Sequence, residues 1–207
     1  MFATPDDYSW FSPERFPGLA DAYCFTYVRG LAPEELMTRL GVRVEDCSHL
    51  TLDELIRWRT IGAVAVGDWA LLVEANGGLG VTEEIAMPLS AGTRLVSHFY
   101  LDVDGMDYFS WIDDGKIRFE FAYQEGYSHW IDGGRIRFMF RPHESYSAEM
   151  PDELVETMER IDSVYPPLTD PCNGPAFLFA ERLTGITMTP QLLEKSTYLC
   201  GVVPESR

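Results

Sequence analysis

The chain has 207 residues, a formal net charge of −17, 46% hydrophobic residues and 13% aromatic residues. A chain of this length buries about 70% of its unfolded surface, so it supports a hydrophobic core, and its composition excludes intrinsic disorder. The charge disfavours binding to nucleic acid or to an anionic membrane, because long-range repulsion opposes both. The acidity itself has two explanations: solubility, or a surface that meets a basic partner protein.

Four cysteines are spread along the chain with no CxxC pair and no histidine at zinc-ligand spacing: Cys24, Cys47, Cys172 and Cys200. This spacing predicts free thiols and no metal site. The first ten residues lack the basic and apolar regions of a secretion signal, and the longest apolar stretch, 61–73, is too short to span a bilayer. We therefore expect a cytoplasmic protein that needs no cofactor and does not enter a membrane.

The N-terminal third predicts an irregular arm followed by one strand and two helices. Residues 1–20 are rich in proline, aspartate and aromatic side chains. Residues 22–28 combine aromatic side chains with Thr and Val, which favours a strand. Residues 33–40 begin with proline and glutamates and end before a glycine, which is typical of a short helix. Residues 51–54 (TLDE) have the spacing of a capping box and predict a second helix.

The middle of the chain predicts a run of strands. Residues 63–75 predict one or two buried strands with a break at 67–68, and residues 97–103 predict another. Between them, 76–78 (NGG) is a strong turn signal, so residues 79–82 are expected to return as a partner strand. No helix start follows these glycines directly, so we interpret them as a turn and not as a phosphate-binding loop.

Helices return after residue 150. Residues 151–161, 175–184 and 190–196 predict short helices, and 198–203 predicts a final strand. Strands followed by helices indicate an α+β fold with one mostly antiparallel sheet and short helices packed on it. No linker divides the chain, so residues 1–207 are expected to form a single domain.

A phrase of 14 residues occurs twice, as YFSWIDDGKIRFEF at 108–121 (hairpin 1) and YSHWIDGGRIRFMF at 127–140 (hairpin 2), with nine identical positions. A two-residue loop in hairpin 1 would mix apolar and charged side chains on both faces. A three-residue loop at 113–115 pairs Trp111 with the isoleucine after the loop and gives one apolar face. The same loop in hairpin 2 places Trp130 likewise. The sequence therefore predicts a four-stranded meander with both tryptophans in the core.

The other face of this meander gathers cations and aromatic side chains on an acidic molecule. Its candidate binding residues are Tyr108, Arg118, Tyr127, His129 and Arg137. Arginine and tyrosine often anchor protein interfaces. The alternative is a solvated strand face whose cations balance neighbouring carboxylates. We interpret the repeat as scaffold first, with a candidate interface on this face.

Familiar catalytic motifs are missing: the sequence has no Walker loop, no nucleophile elbow, no HExxH helix and no dinucleotide fingerprint. Cys47 precedes a predicted helix, where a thiol pKa falls, but no base is implied beside it. The carboxylates of Asp102, Asp104 and Asp107 are close enough in sequence to suit a cation, yet they depart from the EF-hand pattern. We interpret them as a solvated acidic turn whose role stays open, and we predict no catalytic or metal-binding residue.

Four segments carry a resemblance: YCFTYVRGLAPEELMTRLG (23–41), VGDWALLVEANGGLG (66–80), LSAGTRLVSHF (89–99) and ERLTGITMTPQLLEKSTYLCGVVP (181–204). Together they resemble an uncharacterised family of actinobacterial proteins, a domain of unknown function. The resemblance implies a bacterial, cytoplasmic, single-domain protein and brings no established activity. The positions that match the family's motifs are Gly67, Asp68, Trp69, Glu74, Asn76, Gly77, Ser97 and His98.

Two functions remain open. The first, which we favour, is a non-catalytic cytosolic module that binds another protein and neutralises or regulates it, in the manner of bacterial immunity proteins. The alternative is an enzyme or small-molecule-binding protein whose site is built from Asp68, Glu74 and His98, the polar residues that packing explains least. A concave site containing these three side chains would favour the alternative. The sequence does not predict the oligomeric state.

Overall fold

The computed structural model describes residues 4–104, 106–124, 129–132, 135–138, 151–164 and 174–204. Its strands are β1 Ala22–Arg29, β2 Ser48–Leu50, β3 Ile61–Val66, β4 Trp69–Ala75, β5 Arg94–Leu101, β6 Met106–Asp113, β7 Lys116–Gln124, β8 His129–Asp132, β9 Arg135–Phe138 and β10 Tyr198–Gly201. Its α-helices are α1 Pro33–Arg39, α2 Leu52–Trp58, α3 Glu83–Leu89, α4 Asp152–Val164, α5 Gly174–Thr184 and α6 Pro190–Lys195.

Eight of these strands form one sheet in the order β2-β10-β3-β4-β1-β5-β6-β7, and every neighbouring pair is antiparallel. Short helices pack on both sides of the sheet. The predicted α+β fold with an antiparallel sheet is therefore confirmed. Within the described ranges, no helix combines the length and the apolar character that crossing a membrane requires.

The sheet has two buried faces. One face, here the arm face, is covered by the N-terminal arm and by α2, α4, α5 and α6. The other face, here the α3 face, is covered by α1 and α3. Side chains alternate along β1, so Tyr23, Phe25 and Tyr27 lie on the arm face and Val28 lies on the α3 face.

The arm before β1 is irregular except for a 3-10 helix at Pro5–Tyr8, but it belongs to the core. Phe11, Phe16 and Leu19 are buried on the arm face. The ring of Tyr8 stacks on Phe177 at 4.9 Å between centroids. These aromatic contacts explain why a segment without a regular period is well packed.

The segment after β4 differs from the prediction. Residues 79–82, expected as a strand, form a 3-10 helix at Leu79–Val81 that leads into α3. Gly80 lies directly against the hydroxyl groups of Thr26 and Ser97 on the α3 face. The backbone therefore crosses over the sheet at this point and does not join it as a strand.

Hairpin 1 corrects the predicted register. Its turn contains two residues, Asp114 and Gly115, both left-handed with φ of 49° and 67°. Ile112 pairs with Ile117, and a bulge then lets Trp111 face Phe119. The three-residue loop was wrong because the bulge absorbs the extra residue and restores the separation of the faces. The prediction that Trp111 is buried is confirmed, since only 1% of it is exposed.

Hairpin 2 forms β8 and β9, which pair with each other as a separate two-stranded sheet. The prediction of one continuous four-stranded meander is therefore wrong for the described part of the chain. The first two residue pairs of β8 and β9 correspond to those of hairpin 1, because Asp132 faces Arg135 and Ile131 faces Ile136. Beyond that point Trp130 faces Arg137 without a bulge, whereas the prediction paired it with an isoleucine. The side chain of Trp130 lies outside the described residues.

Candidate functional site

The structure places Asp68, Glu74 and His98 in three different surroundings. Asp68 is exposed in the β3–β4 turn, where its Oδ2 lies 3.1 Å from Arg29 Nε. Glu74 faces Cys24 across the sheet, and His98 faces Phe25. Adjacent residues of a strand point to opposite faces, so Glu74 lies on the α3 face and His98 on the arm face. The three side chains are not brought together in one site.

His98 is fully buried among aromatic rings. Its ring centroid lies 4.7 Å from that of Phe177, 5.4 Å from Phe25 and 5.5 Å from Tyr23. Neither Nδ1 nor Nε2 has a hydrogen-bond partner among the described residues. Burial lowers the pKa of His98 to about 3, because the charged imidazolium would lose its hydration without gaining a partner. The imidazole is therefore neutral at physiological pH.

Two further polar residues on this face were missed by sequence reasoning. Tyr23 and Asp107 are buried in one cross-strand row, in which Tyr100 pairs with both. Burial raises the pKa of Tyr23 well above its ordinary value, and the charge of Asp107 adds to the rise. A tyrosine within an apolar strand pattern and an aspartate within an acidic run give no signal of such burial.

The acidic cluster of the sequence is thus divided. Asp107 is buried, whereas Asp102 is exposed and accepts a hydrogen bond from Tyr100 Oη at 3.0 Å. The side chain of Asp104 lies outside the described residues. Within the described ranges, no three His, Cys, Asp or Glu side chains are arranged to hold a metal ion.

Glu74 lies beneath the loop that leads to α3, with 2% of it exposed. Its Oε2 accepts a hydrogen bond from the backbone N–H of Leu79 at 3.2 Å, and Oε1 has no partner among the described residues. Burial raises the pKa of Glu74 to about 7, while backbone hydrogen bonds from Leu79 and Gly80 and the Cys24 thiol limit the rise. The side chain holds this loop on the sheet.

Three neighbours of Glu74 form a buried polar group. Thr26 Oγ1 and Ser97 Oγ lie 2.9 Å apart, and Cys24 Sγ lies 3.4 Å from Ser97 Oγ. Burial raises the pKa of the Cys24 thiol, and the charge of Glu74 raises it further. Cys24 is therefore a thiol and not a thiolate nucleophile. Cys24, Cys47 and Cys200 are all free, and Cys172 lies outside the described residues.

The candidate interface on the repeat is only partly described. Tyr108 is partly buried on β6, and burial together with the charges of Glu120 and Glu83 raises its pKa. Arg118 is exposed at the bulge of β7. His129 and Arg137 belong to the separate sheet of β8 and β9 and their side chains lie outside the described residues, as does all of Tyr127. The structure therefore does not show these five side chains on one surface.

A groove of about 600 Å³ lies between the arm, α2 and α6. Leu52, Ile56 and Phe16 form its apolar part, and Arg57 and Asp53 stand beside them. None of the residues predicted as candidate sites lines this groove. This groove is separate from both buried polar groups.

Residues 1–127 and 124–207 match the model of DUF6461, a family of unknown function, so that the two segments together span the chain. The chain belongs to DUF6461. Searches of the curated proteins and of the solved structures gave no match. The two matched segments of this DUF6461 protein meet between its hairpins, because the first ends where hairpin 2 begins and the second contains hairpin 2.

Proposed function

We propose that this protein is a non-catalytic cytosolic module that binds a basic partner protein and neutralises or regulates it. The observation that supports the proposal is the distribution of charge on the described surface. The net charge is −17, and most of the described carboxylate side chains are exposed.

Several of the surface arginines are already neutralised by carboxylates. Ion pairs join Arg15 to Glu194, Arg29 to Asp68, Arg39 to Glu35, Arg43 to Asp46 and Arg182 to Glu156. The carboxylates beyond these pairs include Asp152 and Glu159 on α4 and Glu83 and Glu84 on α3, all exposed. A basic partner therefore meets a surface on which negative charge dominates.

Three buried residues that could have carried chemistry are enclosed by packing, which also supports a binding role. His98 is neutral under aromatic rings, Cys24 is a buried thiol, and Glu74 is engaged by the loop before α3. Their side chains contribute to the two cores of the sheet. Many carboxylates, in contrast, are exposed, and long-range attraction between opposite charges speeds the encounter of two proteins.

The experiment is a capture from lysate of the native host on the immobilised protein, followed by kinetics with the purified partner. We expect a basic protein whose association rate falls at least about tenfold between about 50 and 500 mM salt, because salt screens the attraction. The dissociation rate should change much less, since close contacts are screened less. An unrelated acidic protein of similar charge on the same resin is the control for non-specific capture.

Two variants of equal charge change show which helix meets the partner. One is Glu83→Gln with Glu84→Gln on α3, and the other is Asp152→Asn with Glu159→Gln on α4; each removes two exposed carboxylates. We expect both variants to associate more slowly with the partner. The substitutions on the helix that lies nearer to the bound partner should have the larger effect. An association rate that is indifferent to salt and to both variants would show that the acidity serves solubility alone.

A further inference from the structure

The carboxylate of Glu74 lies beneath the segment that connects β4 to α3, residues 76–82, here called the strap. The N–H of Leu79 donates to Oε2 of Glu74 at 3.2 Å, and Oε1 is buried with no partner among the described residues. A Cβ added at Gly77 would overlap Oε2, so the backbone of the strap touches the carboxylate directly. The strap is therefore closed over this one acidic side chain.

Little apolar packing holds the strap on the sheet. Gly80 is buried but has no side chain, and Leu79 and Val81 are only partly buried. Three hydrogen bonds, two from backbone N–H groups and one from the Thr82 hydroxyl, join residues 78–82 to one another and not to the sheet. A segment with so few buried apolar side chains opens at a lower cost in free energy than the core does.

The two ends of the strap are anchored. The N–H of Asn76 donates to the carbonyl of Ala22 at 2.9 Å, and its backbone is left-handed with φ of 57°. Two glycines follow directly, and glycine accepts a wide range of backbone angles. At the other end the strap leads into α3, which buries Ala86 and Leu89 on the sheet. The segment between these anchors can therefore move while the rest of the fold stays in place.

The surroundings of Glu74 favour its neutral form. The α3 face around it includes the side chains of Cys24 and Thr26 on β1, Ile61 on β3 and Ser97 on β5. The strap adds backbone N–H groups, and α3 adds the carboxylates of Glu83 and Glu84, which are exposed. No cation among the described residues lowers the pKa of Glu74, and burial raises it to about 7. Under a closed strap, an ionised Glu74 has neither full hydration nor a counter-ion.

We propose that the strap is a pH-sensitive cover, which neutral Glu74 holds closed and which opens when this carboxylate ionises. Opening returns to the carboxylate the hydration that the closed strap withholds. It also uncovers the polar group of Cys24, Thr26 and Ser97, so that the Cys24 thiol becomes accessible from solvent. This property goes beyond the proposed function and does not depend on it.

Linkage gives the direction of the change and bounds its size. With the strap open, the hydrated carboxyl group has its ordinary pKa of 4.5, and with the strap closed its pKa is about 7. The closed form therefore has its full advantage below pH 4.5 and loses it as the pH rises through 7. Between pH 5 and 8 the ratio of open to closed strap should rise at least about tenfold, because one unit of pKa difference changes an equilibrium tenfold.

Amide hydrogen exchange, followed by NMR and corrected for the intrinsic rate at each pH, measures this opening. Protection of the Leu79 and Gly80 amides should fall at least about tenfold between pH 5 and 8. In Glu74→Gln the side chain does not ionise but still accepts from Leu79, so protection should change less than about twofold. The matched control is Asp68→Asn, which removes an exposed carboxylate near the other end of β4 and should keep the pH dependence of the unchanged protein.

Urea at concentrations below the unfolding transition separates strap opening from global unfolding. Added urea should lower the protection of the β1 amides and leave that of the strap amides nearly unchanged, because strap opening exposes little surface. Alkylation by iodoacetamide at pH 8 is a second measurement. Cys24 should react at least about tenfold more slowly in Glu74→Gln than in the unchanged protein, whereas Cys47, which lies away from the strap, should react equally in both.

The same pH dependence of strap protection in Glu74→Gln and in the unchanged protein would overturn the proposal. So would strap amides that exchange only together with those of β1 and with the same dependence on urea. Circular dichroism shows whether Glu74→Gln folds. If it does not fold, the unchanged protein decides alone, and strap protection that stays constant between pH 5 and 8 contradicts the proposal.

Discussion

The two faces of the sheet bury ionisable groups by different means. On the arm face, aromatic rings enclose His98 and offer it no hydrogen bond, and its pKa falls to about 3. On the α3 face, a loop encloses Glu74 and donates backbone N–H groups to it, and its pKa rises to about 7. Burial favours the neutral form on both faces. Because one group is a base and the other an acid, the two faces respond to pH with opposite signs.

The largest expected effect comes from the apolar packing of the arm face. Trp111→Ala should lower the free energy of unfolding by about 3–5 kcal/mol, because it empties a fully buried aromatic site. Denaturation by urea measures the loss. The matched control is Trp58→Ala on α2, where 57% of the tryptophan is exposed and a change within about 0.5 kcal/mol is expected. Equal losses at the two sites would contradict the assigned burial.

The α3 face should be most sensitive at the loop that covers Glu74. In Gly80→Ala the new Cβ would overlap the hydroxyl groups of Thr26 and Ser97, so we expect a loss of about 1–3 kcal/mol. Gly78→Ala is the control, because its Cβ would lie 3.6 Å from the Phe99 ring, an ordinary contact. Thermal unfolding measures the stability of both variants. The difference between them separates the cost of steric overlap at Gly80 from the general effect of replacing a glycine. A loss that is no larger at Gly80 would mean that the loop does not pack as closely as described.

The pH dependence tests the comparison of the faces directly. The folded pKa of His98, about 3, lies below its ordinary value of 6.5, so its contribution to stability is present above pH 6.5 and is lost as the pH falls toward 3. The folded pKa of Glu74, about 7, lies above its ordinary value of 4.5, so its contribution is present below pH 4.5 and is lost as the pH rises through 7. Between pH 4.5 and 6.5 the two contributions oppose each other.

Single substitutions should separate the pH-dependent contributions of His98 and Glu74 to stability. As the pH falls from 6.5 to 4.5, His98→Phe should gain about 2 kcal/mol of stability relative to the unchanged protein, and Glu74→Gln should lose about 2 kcal/mol relative to it. Urea denaturation at several pH values measures both, and the comparison with the unchanged protein cancels the contribution of surface carboxylates. Parallel pH profiles for all three proteins would contradict the assigned surroundings of both residues.

The smallest effect is expected at Asp68, which the sequence analysis placed in one candidate site with Glu74 and His98. Asp68→Asn removes an ion pair in which both side chains are more than half exposed, so the cost should be between about 0 and 1 kcal/mol. Added salt should make it smaller still. A cost above about 2 kcal/mol would show that Asp68 has a structural role that its exposed position does not explain.

Much of the fold follows from local sequence. The capping box at Thr51 forms as predicted, with the Thr51 side chain accepting from Glu54 N–H and the Glu54 carboxylate accepting from Thr51 N–H. The break between β3 and β4 falls at 67–68, where the turn residues stand. Such signals depend on neighbouring residues only, and a sequence contains them in full.

The errors arose where distant contacts decide the local structure. α3 was missed because the backbone at Gly80 is held by Thr26 and Ser97, more than 15 residues away in either direction. The hairpin register was missed because the prediction placed the extra residue in the loop, whereas the structure has it in a bulge of β7 opposite Trp111 and Ile112. Among the candidate residues, Glu74 and His98 are buried, but on opposite faces of the sheet. Glu74 pairs with Cys24 and His98 pairs with Phe25, and these adjacent residues of β1 point to opposite faces. The pairing between strands decides this separation, and it cannot be read from the local sequence.

The position of β10 has a consequence for the order in which the protein is made. β10 lies between β2 and β3, although it is the last strand of the described chain to be synthesised. Until residues 198–201 have left the ribosome, β2 has no strand beside it in the sheet, and the outer edge of β3 has no partner in it. The nascent chain therefore exposes a strand edge throughout most of its synthesis, and such edges recruit other strands. Translation that stops shortly before residue 198 should release a product that aggregates, even though it carries nearly the whole core.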